Sequence, residues 1–324
     1  MLKRLKRKLI TTFFGLDSLL SYVGTRQKFL NGHSIKAALF ALYTYPLRKF
    51  HAVENPFINA PREYYSEIHE LLHISKVKGF ELLRVGHDND GGYIMVDDFA
   101  SDDKTAYSFG ISDDVSWDKD MASRGYDVFM YDHTIDGLPE ENPRFHWSKL
   151  GIADGSTQDS RLKTLDELIK QNHHEDKHNM ILKMDVEGAE WGFIENTSSE
   201  TLSRFSQIML EFHGIHNPKY MGKIPAALRK LNKTHKPVHI HGQNIGHYVS
   251  VGTQTFCRQI EVSYVRRDKY DLDDDYDVLL PLSIDMPALK NFPEIYLGHW
   301  NRKITPDDNF TSITVVLTVL SSPK

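Results

Sequence analysis

Four short apolar runs set the frame. Thr105–Phe109, Asp127–Tyr131, Asn179–Met184 and Gln207–Phe212 each read as a buried strand. Between them lie segments with helical spacing: Trp117–Arg124, Thr164–Gln171 and Ala189–Glu195, with Ile224–Leu231 following the last. Thr164 with Glu167 three residues on is a capping-box signal for a helix start. Strands alternating with helices of this size predict an α/β fold with a parallel sheet and helices on both faces. Glu63–His73 reads as a further helix. Phe80–Val85, Tyr93–Val96 and Phe145–Leu150 read as further short strands, with turn chemistry at Asp90–Gly92. Gln254–Val265 and Ser312–Leu320 alternate and are β-branched, which predicts antiparallel strands at one edge of the sheet. Asp268–Trp300 reads as a long irregular excursion.

Sheets of this kind bind ligands beyond the carboxyl ends of their strands. Polar or glycine residues follow every one of these runs: Gly110–Asp114, Asp132–Thr134, Gly151–Asp154, Asp185–Glu190 and Glu211–His213. Five in register predict one functional rim. Gly110 permits a tight turn and close backbone approach. The loop is neither the Gly-x-Gly-x-x-Gly fingerprint nor a Gly-Lys-Ser/Thr phosphate loop, and acids surround it, which disfavours a pyrophosphate. Asp132, about 20 residues beyond the glycine turn, suits ribose hydroxyls; the competing reading is a cap or surface turn.

Charge divides the chain. Residues 1–53 hold ten Lys/Arg and one acid, leaving 29 bases and 43 acids beyond. The net charge of -5 argues against a general nucleic-acid binder, so no nucleic-acid partner is expected. The lone cysteine, Cys257, excludes a disulfide framework and a Cys-rich zinc site. No run reaches the ~18 apolar residues of a membrane span. The expected organisation is a basic helical segment over 1–60 and a catalytic domain over 61–324. Residues 1–50 suit peripheral contact with an anionic membrane, with packing on the domain as the alternative. A cytoplasmic location, at the inner face of a membrane where that contact is made, follows as an expectation.

The run Leu182-Lys-Met-Asp-Val-Glu-Gly-Ala-Glu-Trp191 resembles the signature of FkbM-type S-adenosylmethionine-dependent methyltransferases. The flanks resemble the methyltransferase-like 24 subgroup: Arg84-Val-Gly86, Asp90-Gly-Gly-Tyr93, Tyr107-Ser-Phe-Gly-Ile111, Met121-Ala-Ser-Arg-Gly125, Tyr131-Asp132, Glu211-Phe-His213 and Glu261-Val-Ser-Tyr-Val-Arg266. These pieces keep chain order over about residues 80–270. The resemblance implies a Rossmann-like seven-stranded methyltransferase sheet. It implies S-adenosyl-L-methionine as cofactor, with Phe109, Gly110, Ile111 and Ser112 against its methionine part. Asp132 and His133 would lie at the ribose, Gly151, Ile152 and Asp154 at the adenine, and Asp185 and Glu187 at the transfer centre. Ser112-Asp113-Asp114 departs from the glycine-rich first loop of many methyltransferases.

Methyl transfer to a hydroxyl needs orientation and a general base. The candidates are Asp185, Glu187, His213 and His241. His239-Ile-His241 and Glu211-Phe-His213 each put two polar groups on one strand face. Asp185, Glu211 and His213 therefore also form a candidate divalent-metal set, weighed below direct hydrogen bonding to substrate. The family's habits point to a hydroxyl-bearing saccharide, of a glycan or glycolipid, or a natural product as acceptor. Two rivals stand: a methyltransferase-fold binding module without turnover, and a metal-dependent glycosyltransferase using Asp273 and Asp275 in the run Asp271–Asp277. Removing residues 1–50 is expected to abolish sedimentation with anionic liposomes; undiminished sedimentation would refute the membrane role.

Overall fold

The computed structural model describes residues 60–100, 103–155, 158–244, 247–290, 294–308 and 310–314. The basic segment of residues 1–59 and the expected strand beyond 314 lie outside them.

Seven strands form the central sheet: β1 (Thr105–Phe109), β2 (Asp127–Tyr131), β3 (Phe145–Ser148), β4 (Met180–Met184), β5 (Phe205–Phe212), β6 (His235–Gly242) and β7 (Ile260–Arg266). Their spatial order is β3-β2-β1-β4-β5-β7-β6. Strands β1 to β5 run parallel to one another, and β7 is antiparallel to both β5 and β6. Every residue of β1, β4 and β5 is buried. That explains their unbroken apolar character, because a parallel sheet is covered on both faces.

Alternate residues of the strands feed two cores. Ala106, Val128 and Met130 pack with Trp117 and Met121 of α2 (Ser116–Ser123). Tyr107, Phe109 and Tyr131 face the other way. There they meet α1 (Arg62–Leu71), α3 (Leu165–Gln171), α4 (Glu190–Asn196) and α5 (Ile224–Leu231). Helix α5 buries Ile224, Ala227, Leu228 and Leu231, the i, i+3, i+4, i+7 stripe of an amphipathic helix. Helix α3 starts on the expected capping box of Thr164 and Glu167.

The structure corrects the expectations for two stretches. The strand expected from Phe80 begins at Leu82 and pairs antiparallel with Tyr93–Val96, in a hairpin apart from the main sheet. The stretch Gln254–Val265 is broken into two strands that serve different sheets. Gln254–Cys257 joins a three-stranded sheet with His247–Val251 and Phe310–Thr314, while β7 lies inside the main sheet with β6 as its edge. Alternation records which face is buried and not which neighbour a strand pairs with. The excursion over 268–300 is irregular as expected; among its described residues the ladders are the two-residue ones at Leu272–Asp273, Leu279–Leu280 and Gly298–His299.

His235 opens β6 in the core. Its Nε2 donates to the Phe205 carbonyl at 2.9 Å, and the Thr234 hydroxyl stands 2.8 Å from Nδ1. A carbonyl only accepts, so Nε2 holds the proton and Nδ1 is the acceptor. Burial lowers this imidazole from 6.5 to about 4. The unfolded chain therefore binds a proton that the fold refuses. The contribution of His235 is complete above pH ~6.5 and is lost as pH falls toward 4. Between pH 7 and pH 5 it should account for about 2 kcal/mol of lost stability. Urea unfolding of wild type and His235→Gln at both pH values should show the shallower pH dependence in the variant. Equal slopes would refute the assignment.

Candidate active site

The strand order reverses between β1 and β4, and at such a switch point a crevice opens beyond the carboxyl ends of the strands. Gly110 and Asp185 follow those two strands. The Asp185 N–H donates to the Phe109 carbonyl at 3.1 Å, and the Gly110 N–H to the Tyr131 carbonyl at 3.1 Å. Gly110 has φ +75°, and a Cβ there would penetrate the Asp185 carbonyl oxygen. Only glycine permits both the backbone conformation and the approach.

The next residues explain the departure from a glycine-rich loop. Ser112 takes φ +49°, the left-handed conformation that glycine ordinarily supplies. Asp132 holds it there. Its Oδ2 accepts the N–H groups of Ile111 at 2.9 Å and Ser112 at 3.0 Å. Its Oδ1 accepts the Thr134 N–H at 2.8 Å and hydroxyl at 2.6 Å. Burial opposes charge on this carboxyl, yet the Ser112, Thr134 and Ile111 hydrogen bonds hold its pKa below the usual range. Asp114, just before α2, accepts the Ser116 N–H at 2.8 Å and its hydroxyl at 3.0 Å.

The rim continues in both directions. His133 lies against Gly151, where a Cβ would collide with the ring. Gly151 and buried Ile152 form a short ladder with Leu162 and Lys163. The Asp154 carbonyl accepts from Asn196 Nδ2 of α4 at 3.0 Å. The structure thus strings Asp154, Gly151, His133, Asp132, Gly110 and Asp185 along one edge.

Beyond Asp185 the rim is acidic. The turn after β4 carries Glu187 at φ +54° and Gly188 at φ +106°. Glu190, wholly buried, ties this turn to the end of β5. Its Oε1 accepts the N–H groups of Val186 at 3.1 Å and Gly188 at 3.2 Å, and lies 3.0 Å from His213 Nδ1. Trp191 adds a bond from Nε1 to the His213 carbonyl at 2.9 Å and stacks on Phe212. His213 Nε2 then faces Glu187, Glu211 and Asp185 oxygens at 3.3, 3.4 and 3.8 Å. Burial opposes charge on His213, but the bond to Glu190 and the surrounding carboxylates raise its pKa. Burial lifts Asp185 to about 6, with Lys183 and His213 opposing the rise. Burial, then the Asp185 and Glu261 carboxylates, push Glu211 well above its ordinary range.

His241 is not brought to that group. Gln243 Nε2 links Glu211 to Glu261, at 3.0 Å each. Glu261 lies 3.2 Å from His241 Nδ1, and Glu294 3.0 Å from its Nε2. Burial opposes charge on His241, but Glu294, Glu261 and Asp285 raise its pKa well above the ordinary value. With both nitrogens donating to carboxylates, His241 has no lone pair with which to act as a base. Asp273 and Asp275 belong to another feature: Asp273 Oδ1 accepts the Asp275 N–H at 3.1 Å, closing a turn beside the ladder to Lys76.

Two contributors escaped the sequence reading. Glu190 reads as an acid at a helix start, where the dipole explains it; its inward turn is tertiary. Lys183 sits inside the apolar run of β4. Its Nζ donates to the Gly110 carbonyl at 2.5 Å and lies over the Tyr93 ring. A lysine within a buried strand is the signal that was available.

Residues 96–234 match the family model described as the methyltransferase FkbM domain. The match supports an FkbM-type methyltransferase and does not distinguish subgroups. It includes the rim from Gly110 to His213 and stops short of β6 and β7. A search of curated proteins finds no match. Among the described residues no helix is long and apolar enough to cross a membrane.

Gly110→Ala should cost at least about 2 kcal/mol, because both the positive φ and the Asp185 contact are lost. Ser112→Gly should stay within about 1 kcal/mol of wild type, since it removes strain. Urea denaturation compares the two, and equal losses would refute the assigned roles.

Proposed function

We propose that this protein is an S-adenosylmethionine-dependent O-methyltransferase whose acceptor is a hydroxyl of a saccharide, in a glycan or glycolipid. The observation that carries this reading is the continuous rim through the switch point. One half is built of backbone and small residues, and the other is a wall of carboxylates around buried His213.

The first half suits the cofactor. Gly110 lets the loop after β1 close on the Asp185 carbonyl, and Gly151 lets the His133 ring lie against its backbone, so this half of the rim presents mainly backbone. Phe109, Gly110, Ile111 and Ser112 would hold the methionine part, Asp132 and His133 the ribose, and Gly151, Ile152 and Asp154 the adenine. Asp132 already accepts four hydrogen bonds, which fills the lone-pair sites of a carboxylate. Of the four donors only the Thr134 hydroxyl rotates freely, so a ribose hydroxyl would enter by replacing it. When bound, the cofactor supplies an activated methyl group.

The second half suits a polyhydroxylated acceptor. Carboxylates accept hydrogen bonds from hydroxyls and repel phosphates, so a neutral sugar is favoured over an anionic substrate. Asp185 stands where the two halves meet and orients the acceptor. Glu187, whose side chain is largely exposed, can pass the hydroxyl proton to solvent.

Calorimetric titration with S-adenosylhomocysteine tests the cofactor half. Wild type should bind at micromolar Kd, about -8 kcal/mol, and Asp132→Ala should lose that binding. Transfer of labelled methyl to neutral glycans tests the acceptor half. No S-adenosylhomocysteine binding by wild type would overturn the proposal.

A further inference from the structure

Two carboxylates side by side do not make a metal site, but the histidine between them adds an independent observation. One ligand atom from each of Asp185, Glu211 and His213 can be chosen so that all lie within 4.8 Å of one another. His213 is 7% exposed and Glu211 4%. Glu190 is an acceptor only, so His213 Nδ1 carries the proton in their contact. That turns Nε2 toward Asp185, Glu187 and Glu211. Nε2 has three oxygens within 4 Å and yet no hydrogen bond to any of them. Asp185 Oδ1, which faces it, also has no hydrogen-bond partner. Two unpartnered buried polar atoms facing each other are costly unless something bonds to both. A histidine oriented by a carboxylate at Nδ1, with Nε2 turned to further carboxylates, is the arrangement that metal-binding histidines adopt.

We propose that Asp185, Glu211 and His213 hold a divalent cation of the manganese type. Two carboxylates and one imidazole suit an ion that prefers oxygen and tolerates nitrogen, and the set contains no thiolate to select a softer metal. Three protein ligands leave coordination positions for acceptor oxygens. A hydroxyl bound there has a lowered pKa. Its O–H bond breaks, the electron pair stays on the oxygen beside the cation, and the proton leaves through Glu187. Glu190 is a positioning residue that presents Nε2. The catalytic use rests on the methyltransferase reading, whereas the ion site does not.

The test uses full-length protein stripped with chelator and titrated with MnCl2, with free Mn2+ followed by its electron paramagnetic resonance signal. Wild type should take up one Mn2+ per chain. Glu211→Gln and Asp185→Asn should each abolish uptake. Glu190→Gln should weaken it by about tenfold, as loss of a partner behind a ligand does. Asp273→Asn, at a turn outside the rim, should bind as wild type. Circular dichroism establishes that each variant is folded, and two independent ligand variants guard against one failing. No uptake by wild type, or equal uptake by folded wild type and both ligand variants, overturns the site. Saturation by Zn2+ but not by Mn2+ overturns the assigned ion class. Mn2+ uptake without S-adenosylhomocysteine binding supports the ion site and removes the methyltransferase reading. Methyl transfer untouched by chelator, in protein that takes up no Mn2+, does the reverse.

Discussion

One buried carboxylate oxygen joins the two strand ends on which the site depends. Glu190 Oε1 meets Val186 and Gly188 from the turn after β4, and His213 from the end of β5. The turn it holds contains a non-glycine residue in left-handed conformation, Glu187, which costs on the order of 1 kcal/mol and persists only where the surroundings fix it. Without Glu190 the Val186 and Gly188 N–H groups would lose this partner, and His213 would be free to rotate. The position of the acidic wall thus follows from one side chain at the start of α4.

The wall concentrates negative charge in a region of low solvent access, and it is relieved in stages. Lys183 brings a buried ammonium to the Gly110 carbonyl. His241 lies between Glu261 and Glu294, which raise its pKa. His239 faces Asp285 at 3.1 Å, so the excursion returns two acids to the β6 histidines. What reads as irregular chain over 268–300 supplies carboxylate partners to the two β6 histidines. Burial nevertheless leaves Glu211 and Asp185 with raised pKa values, the pattern found where charge is concentrated for chemistry.

Much of this was legible in the chain. The parallel strands announced themselves because residues buried on both faces must be apolar, and the polar residues after them marked the rim. Asp132 was legible as an acid at a strand end, but not as one engaged by four donors. That arises because Ser112 occupies a left-handed position and needs its N–H held. Ser112–Asp114 departs from a glycine-rich loop in sequence, yet Asp132 holds Ser112 and Asp114 accepts the Ser116 N–H at the start of α2. His241 shares strand spacing with His239 and resembles a candidate base; only the positions of Glu261 and Glu294, 20 and 53 residues away, show both its nitrogens engaged.

The sequence by itself determined the order of elements, the apolar faces, the helix cap at Thr164 and the five polar strand ends, because each follows from local periodicity or from hydrogen bonds within a few residues. The tertiary structure decided which strand ends meet, where the hairpin and β7 lie, and the orientation of Glu190, Lys183 and His213. Those depend on pairings between residues far apart in the chain, and on burial. Burial turns an ordinary acid at a helix start into the support of a site, a property that no local pattern carries.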